Sequence, residues 1–172
     1  FEGIRDKLLE KTKMKDDNTK EAINFRVLEH EPAYTSEVSA RIRGTSLASG
    51  AKALIVVKPP PKTTQDRKGN TFVMFVIPAN RKFATKAAKK QMGGVRNLRF
   101  ATRDEIYHVT GGLAPGSIPP FGSLFGDIIE SVHCDEALAE EGTINFNAGD
   151  HAISISMTFE DYCKVENPIL GT

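Results

Sequence analysis

Apolar and polar positions along this chain change period several times, and each change marks an element. From Gly3 to about Lys13, Ile4, Leu8 and Leu9 fall at helical spacing and predict an amphipathic helix, followed by the polar link KMKDDNTK. Ala22 to Glu29 alternates as a strand or a helix end does. Thr35 and Ser36 offer caps for a short helix through Arg41, and Glu37 sits early enough to meet the positive end of its dipole. The run AKALIVVK, Ala51 to Lys58, predicts a buried strand that stops at Pro59-Pro60-Pro61. A polar, hairpin-like excursion closing on Gly69-Asn70 separates it from a second apolar strand, Thr71 to Ala79, and these two strands are expected to pair.

Beyond them Asn80 is positioned to cap a helix that ends at Gly93-Gly94, and Leu98 to Ala101 predict a short strand. Thr102-Arg103-Asp104-Glu105 is a capping box, so a helix opens there. It closes at TGGLAPGSIPPFG, Thr110 to Gly122, where Gly111, Gly112, Gly116 and Gly122 offer positive φ while Pro115, Pro119 and Pro120 fix it. That composition reads either as a rigid backbone pocket or as a surface turn. Asp127 to Val132, Gly142 to Asn147 and His151 to Met157 follow as strands, with Thr158 capping a terminal helix. The expected class is mixed α/β, strands central and helices flanking.

The chain has 172 residues, 40% of them hydrophobic, which suits one compact domain. It starts at Phe1, as a piece of a longer polypeptide or a trimmed one does. No apolar run is long enough to cross a bilayer, and FEGIRDKLLEKTK is too charged for a signal peptide, so the expectation is a soluble cytoplasmic protein. Its two cysteines, Cys134 and Cys163, have neither CxxC spacing nor disulfide density. His133-Cys134 has no second ligand pair at metal spacing, and no cofactor is called for.

Net charge is only +1, but its distribution is lopsided. Asn80 to Arg103 holds eight basic residues, Arg81, Lys82, Lys86, Lys89, Lys90, Arg96, Arg99 and Arg103, and no acidic one; Asp135 to Asp161 holds seven acids and no Lys or Arg. The spacing of Lys82, Lys86, Lys89 and Lys90 puts them on one side of a helix, either as a phosphate-backbone footprint or as a solvated face. No base-reading motif accompanies them.

Taken in order, the short helix after HEPAYTSE, SGAKALIVV, VIPANRK, LRFATRDEIYHVTGG, GSIPPFG, CDEAL and INFNAGDHAISI resemble the YbaK family. That family includes the editing domain inserted in bacterial prolyl-tRNA synthetases and its free-standing relatives. The resemblance runs from about Phe25 to the C-terminus and implies a central mixed, barrel-like β-sheet flanked by helices. The whole chain, 1–172, then reads as a single editing domain with 1–20 a peripheral helix and link. It further implies an aminoacyl-tRNA deacylase, an ester hydrolase acting on mischarged tRNA, Ala-tRNA(Pro) foremost, with tRNA as partner and a fused or associated synthetase as a further one. Neither a membrane nor DNA is expected as a partner.

Carried onto this chain, Lys52 matches the lysine that starts the family's central strand, with a solvated strand end as its alternative. Gly116-Ser117-Ile118-Pro119-Pro120 matches the family's GxxxP loop, whose backbone lines the aminoacyl pocket; from Thr110 to Pro120 this loop is one residue longer than the usual pattern. Lys52, Gly116, Ser117 and Pro120 are thereby the catalytic candidates. Thr35, Ile118, Asp135, Gly149 and His151 are candidates for holding substrate. Helix capping is the competing role for Thr35 and Asp135, and strand surface for His151. Arg81, Lys82, Lys86, Lys89 and Lys90 are the candidates for tRNA contact.

No Ser-His-Asp or Cys-His nucleophile is present. The resemblance implies an oriented water that attacks the ester directly, without a covalent intermediate. Of the other classes, a tRNA-recruiting module that hydrolyses nothing is the main competitor, and a small-molecule hydrolase or metal protein centred on His133-Cys134 the third.

Overall fold

The computed structural model describes Asp6 and residues 23–60 and 69–171. The expected N-terminal helix and link and most of the 61–70 excursion lie outside the described residues. Strand β1 (Phe25–Glu29) leads to helix α1 (Ser36–Arg43), then β2 (Ala51–Lys58) and β3 (Thr71–Pro78). Next come α2 (Thr85–Gln91), β4 (Arg99–Phe100), α3 (Arg103–Thr110) and 3-10 turns over Gly122–Ile128. The second half holds β5 (Ile129–Asp135), a 3-10 segment (Glu136–Glu141), β6 (Thr143–Asn147), β7 (Ile153–Thr158), α4 (Phe159–Glu166) and β8 (Ile169–Gly171).

The central β-structure is mixed, as the pattern predicts, and it divides into two sheets. Five strands lie in the order β4-β2-β3-β5-β8, and three in the order β1-β7-β6. β2 pairs antiparallel with β3, as expected, with Ala51 facing Pro78 and Lys58 facing Thr71, while β5 runs parallel to β3 and β8. Among the described residues one isolated bridge, Gly50 to Asn145, links the backbones of the two sheets. At this seam the Asn145 N–H donates to the Ser49 carbonyl and its amide to Ser49 Oγ, at 2.9 and 3.0 Å. Buried polar groups that bond to each other in this way avoid the cost of losing water.

Period-two alternation sorts β3 between two cores. Met74 and Val76 enter the larger one, with Phe121, Phe146, Leu138, Ile144, Ile155 and Tyr162; Val73 and Phe75 enter a smaller one with Val56, Ala88 and Leu98. Local signals behave as read at most helix ends. Thr102 and Glu105 form both halves of the capping box, Thr158 accepts from Asp161 N, and Thr35 accepts from Val38 N.

Two readings need correction, and one strand was not foreseen. Asn80 caps nothing: α2 starts five residues later behind Ala84, with no side-chain cap, so Lys82 precedes the helix and only Lys86, Lys89 and Lys90 share its face. β8 follows Asn167-Pro168 and is too short to show a period, yet it completes the sheet edge beside β5. Gly122 lacks positive φ, unlike Gly111, Gly112 and Gly116; it is a glycine because a Cβ there would stand 2.5 Å from Val132 Cγ2.

The Gly/Pro loop is a surface turn only in its first half. Gly111, Gly112 and Gly116 are exposed, but Ser117 to Gly122 are buried, and Phe121 lies edge-on to both Phe146 and Tyr162. The fully buried Tyr162 hydroxyl donates to the Pro120 carbonyl at 3.0 Å, which ties the loop to α4. No helix among the described residues is long and apolar enough to cross a membrane. Replacing Tyr162→Phe leaves the Pro120 carbonyl buried and unpaired, and should lower unfolding free energy by about 1–3 kcal/mol. Urea denaturation reads this as a lower midpoint at unchanged slope; an unshifted midpoint would show that the bond contributes nothing.

Candidate functional site

A cavity of about 300 Å³ opens at the seam between the sheets. Segments remote in sequence converge on it: Tyr34 and Thr35 ahead of α1, Ser39, Ala40 and Arg43 from α1, Gly50 to Ala53 from β2, Gly116 and Ile118 from the Gly/Pro loop, and Asn145 to Asn147 from β6. Lys52, Thr35, Gly116 and Ile118 are therefore brought together as the sequence predicts. Thr35 does two things at once, since it also caps α1.

Lys52 is half-buried, and its Nζ donates to the Arg81 carbonyl at 3.1 Å. Desolvation pushes its pKa below the usual lysine value, and the field of Glu37 on α1 opposes that shift. The lysine is thus not a freely solvated strand end. Arg81 holds the other side of this contact through a salt bridge to Asp135, 3.0 Å from Nη1 to Oδ2. Asp135 also accepts from Ala137 N at 3.0 Å, capping the 3-10 segment. It lies outside the cavity lining and reaches Lys52 only through Arg81.

The remaining candidates support the loop from behind. Ser117 is buried, and its hydroxyl donates to the Ala114 carbonyl at 2.9 Å. The Gly149 N–H donates to the Ser117 carbonyl at 2.8 Å, so Gly149 braces the loop without lining the cavity. His151 sits against Gly116: its Cε1 is 3.3 Å from the place a Cβ would take there. With φ at +88° and that ring so close, position 116 accepts little besides glycine. His151 Nδ1 is buried and without a partner among the described residues.

Arg43 and Asn147 were not singled out from the sequence, and they organise the site. The half-buried Arg43 guanidinium donates from Nε to Ser154 Oγ at 2.8 Å and from Nη2 to Asn147 Oδ1 at 2.5 Å. The Asn147 amide then donates to the Gly116 carbonyl at 2.8 Å. Burial lowers the Arg43 pKa to about 10, which leaves it a cation at neutral pH. The usable signal was position alone: an arginine in the last turn of a short helix, and an asparagine ending a strand. Neither marks a site before the fold brings them together.

The basic candidates lie outside the cavity lining. Ala79 lines it, Arg81 begins the stretch at Lys52, and α2 carries exposed Lys86 and Lys90 with half-buried Lys89 onward. On the far side of β5, His133 stacks on Phe75 with ring centroids 4.9 Å apart, and burial pushes the Cys134 thiol up to about 12. A thiol so shifted is protonated at neutral pH and a poor nucleophile. Among the described residues no three His, Cys, Asp or Glu side chains come together as a metal site.

Comparison with known proteins bears on the family and the fold. The family described as aminoacyl-tRNA editing domain matches residues 30–165. Over 157 residues the chain is 31% identical to the Multifunctional Ser/Thr-tRNA deacylase ProXp-y of Escherichia coli (strain K12), spanning 88% of this chain and 85% of that one. It is 25% identical over 144 residues to the Prolyl-tRNA editing protein ProX of Acetoanaerobium sticklandii, spanning 83% and 82%. The solved structure of a candidate trans-editing enzyme for prolyl tRNA synthetase superposes with a TM-score of 0.73 at 20% identity, over 98% of this chain and 94% of that one. The fold, the seam cavity with its lysine and glycine loop, and these matches have one common conclusion: the chain belongs to the aminoacyl-tRNA editing domain family, whose members hydrolyse aminoacyl-tRNA esters.

Proposed function

We propose that this chain removes a small wrong amino acid from the 3′ end of a tRNA, tRNA(Pro) foremost, by directing water onto the ester carbonyl inside the seam cavity. One observation carries the reading: Lys52, Gly116 and Ile118, from distant parts of the chain, line a single cavity of about 300 Å³. Among the described residues the N–H groups of Gly116 and Ile118 have no protein partner, whereas those of Ser117 and Gly149 are bonded within the loop. Free N–H groups on a braced loop suit an oxyanion, because they need no reorganisation as charge develops. Lys52, already a donor and partly desolvated, supplies a point charge toward the ester or the terminal phosphate. Water is the nucleophile: the neighbouring ribose hydroxyl orients it by accepting a hydrogen bond, and the proton that water loses on attack passes to the departing ribose oxygen.

Two substrate readings follow from the lining. Ala33, Ala40, Ala51 and Ala53 leave room for a small side chain, in keeping with Ala-tRNA(Pro). Thr35, Ser39, Asn145, Asn147 and Arg43 also give the same cavity a polar side, which favours a hydroxyl-bearing residue, serine or threonine. The name of the 31% identical relative points the same way. A site that hydrogen-bonds a substrate hydroxyl discriminates far better than one that measures a methylene, which is worth only about 1–3 kcal/mol. Arg81, Lys82, Lys86, Lys89 and Lys90 hold the acceptor stem, and a synthetase is the natural associate. Charged tRNA is a cytoplasmic substrate, which sets the compartment.

Wild type and Lys52→Ala should be assayed side by side on tRNA(Pro) charged with Ala, Ser, Thr and Pro. The expected result is selective hydrolysis of the wrong esters, reduced about 100-fold or more in the variant with its circular dichroism unchanged. Retained tRNA binding with no hydrolysis of any ester by wild type would favour a recruiting module. Asn147→Ala releases the Gly116 carbonyl, and kcat should fall about tenfold while KM stays within twofold; an unaltered kcat would remove Asn147 from the site. If the lysines of α2 meet phosphates, log KM should rise linearly with log salt, and the slope should shrink by about 2 in Lys86→Ala/Lys90→Ala. A salt-independent KM would overturn that footprint.

A further inference from the structure

The lip of the cavity carries an aromatic ring that the proposed hydrolysis leaves unused. Tyr34 lines the cavity and is 75% exposed. Its ring centroid lies 4.8 Å from that of His151, the planes inclined by 50°, and His151 in turn abuts Gly116. The three form a line from solvent to the loop backbone. The segment bearing Tyr34 is fixed by main-chain bonds on its N-terminal side: His30 N–H donates to the Ala152 carbonyl at 2.8 Å and Ala33 N–H to the His151 carbonyl at 2.9 Å. On the other side Thr35 caps α1. An exposed ring on so constrained a backbone is a pre-set surface, packed at a tilt on His151 and otherwise open to solvent.

Two more exposed aromatic rings, Phe100 and Tyr107, are engaged elsewhere. Phe100 packs on Phe83 at 5.2 Å, and Tyr107 lies beneath Gly112; neither lines the cavity. The ligand itself states what Tyr34 can meet. With the ester carbonyl at Gly116, a cavity of about 300 Å³ is filled by the aminoacyl group and part of the ribose. The base on that same ribose must therefore lie at the mouth. Every base has a π-face, and stacking on an aromatic side chain is the standard way proteins hold an unpaired one.

We propose that Tyr34, backed by His151, is the stacking platform for the terminal adenine of the tRNA. The proposal rests on the reading of the cavity as the ester site. Stacking there would fix the ribose one bond away from the reacting carbonyl, so the platform binds substrate and aligns it without taking part in the chemistry.

The chain contains no tryptophan, so Tyr34→Trp creates a sole reporter at the lip. Titrated with uncharged acceptor-stem minihelices, its fluorescence should be quenched by an RNA ending in CCA, and at least fivefold less at equal occupancy by the same RNA with an abasic terminal ribose. Tyr34→Ala should raise KM for the best charged tRNA about tenfold, with kcat changed less than twofold, and Tyr34→Phe should restore wild-type kinetics. Equal quenching by the two RNA ends, or wild-type KM in Tyr34→Ala, would overturn the platform. The quenching arm needs no hydrolysis, so a chain that failed to deacylate any tRNA would refute the ester site while leaving the adenine contact independently readable.

Discussion

A partly buried cation has to be hydrogen-bonded, and at Arg43 that requirement ties the end of α1 to the paired strands β6 and β7. Stripped of water, a guanidinium loses several kcal/mol unless its donors find acceptors. Here they find Ser154 on β7 and Asn147 on β6, while the arginine itself ends α1. The chain of bonds goes on through Asn147 to the Gly116 carbonyl. His30 Nε2 shares Ser154 Oγ at 2.7 Å, so the residue after β1 is included as well. One side chain thereby fixes the helix that carries Thr35, the edge of the smaller sheet and the backbone proposed to meet the ester.

The same economy appears across the seam. The two sheets share the larger core, but among the described residues their backbones meet only around Gly50 and Asn145, and that is where the cavity opens. A continuous sheet would have filled the space with ladder hydrogen bonds and interdigitated side chains. A seam with one bridge leaves polar groups such as Asn145 and Ser49 to satisfy each other, and leaves room beside them. The site occupies the place where regular pairing stops, which is why it is lined by strand ends, a helix cap and a loop.

Rigidity in the loop has three sources. Positive φ at Gly116 sets its path, the bonds from Asn147 and Gly149 anchor its carbonyls, and burial of Phe121 with the Tyr162–Pro120 bond fixes its exit. Backbone N–H groups can act as fixed dipoles only if the peptide planes cannot turn. The anchored part of the loop begins at Gly116, downstream of its exposed first half.

Much of the fold was legible because its causes are local. The apolar runs of Ala51 to Lys58 and Thr71 to Pro78, the capping box of Thr102 and Glu105, and the caps at Thr35 and Thr158 depend on residues close to one another in the chain. Lys52, Gly116 and Ile118 were legible through the order of motifs. Asn80, by contrast, satisfies the local rule for a cap and caps nothing, since packing of Phe83 and Ala88 on the smaller core decides where α2 begins. Arg43, Asn147 and Tyr34 carry no signal of their own: the sequence determines that one ends a helix, one ends a strand and one precedes a cap. Only the tertiary structure decides that they meet, because long-range strand pairing, and not any local preference, brings β6, β7 and the Gly/Pro loop to the end of α1.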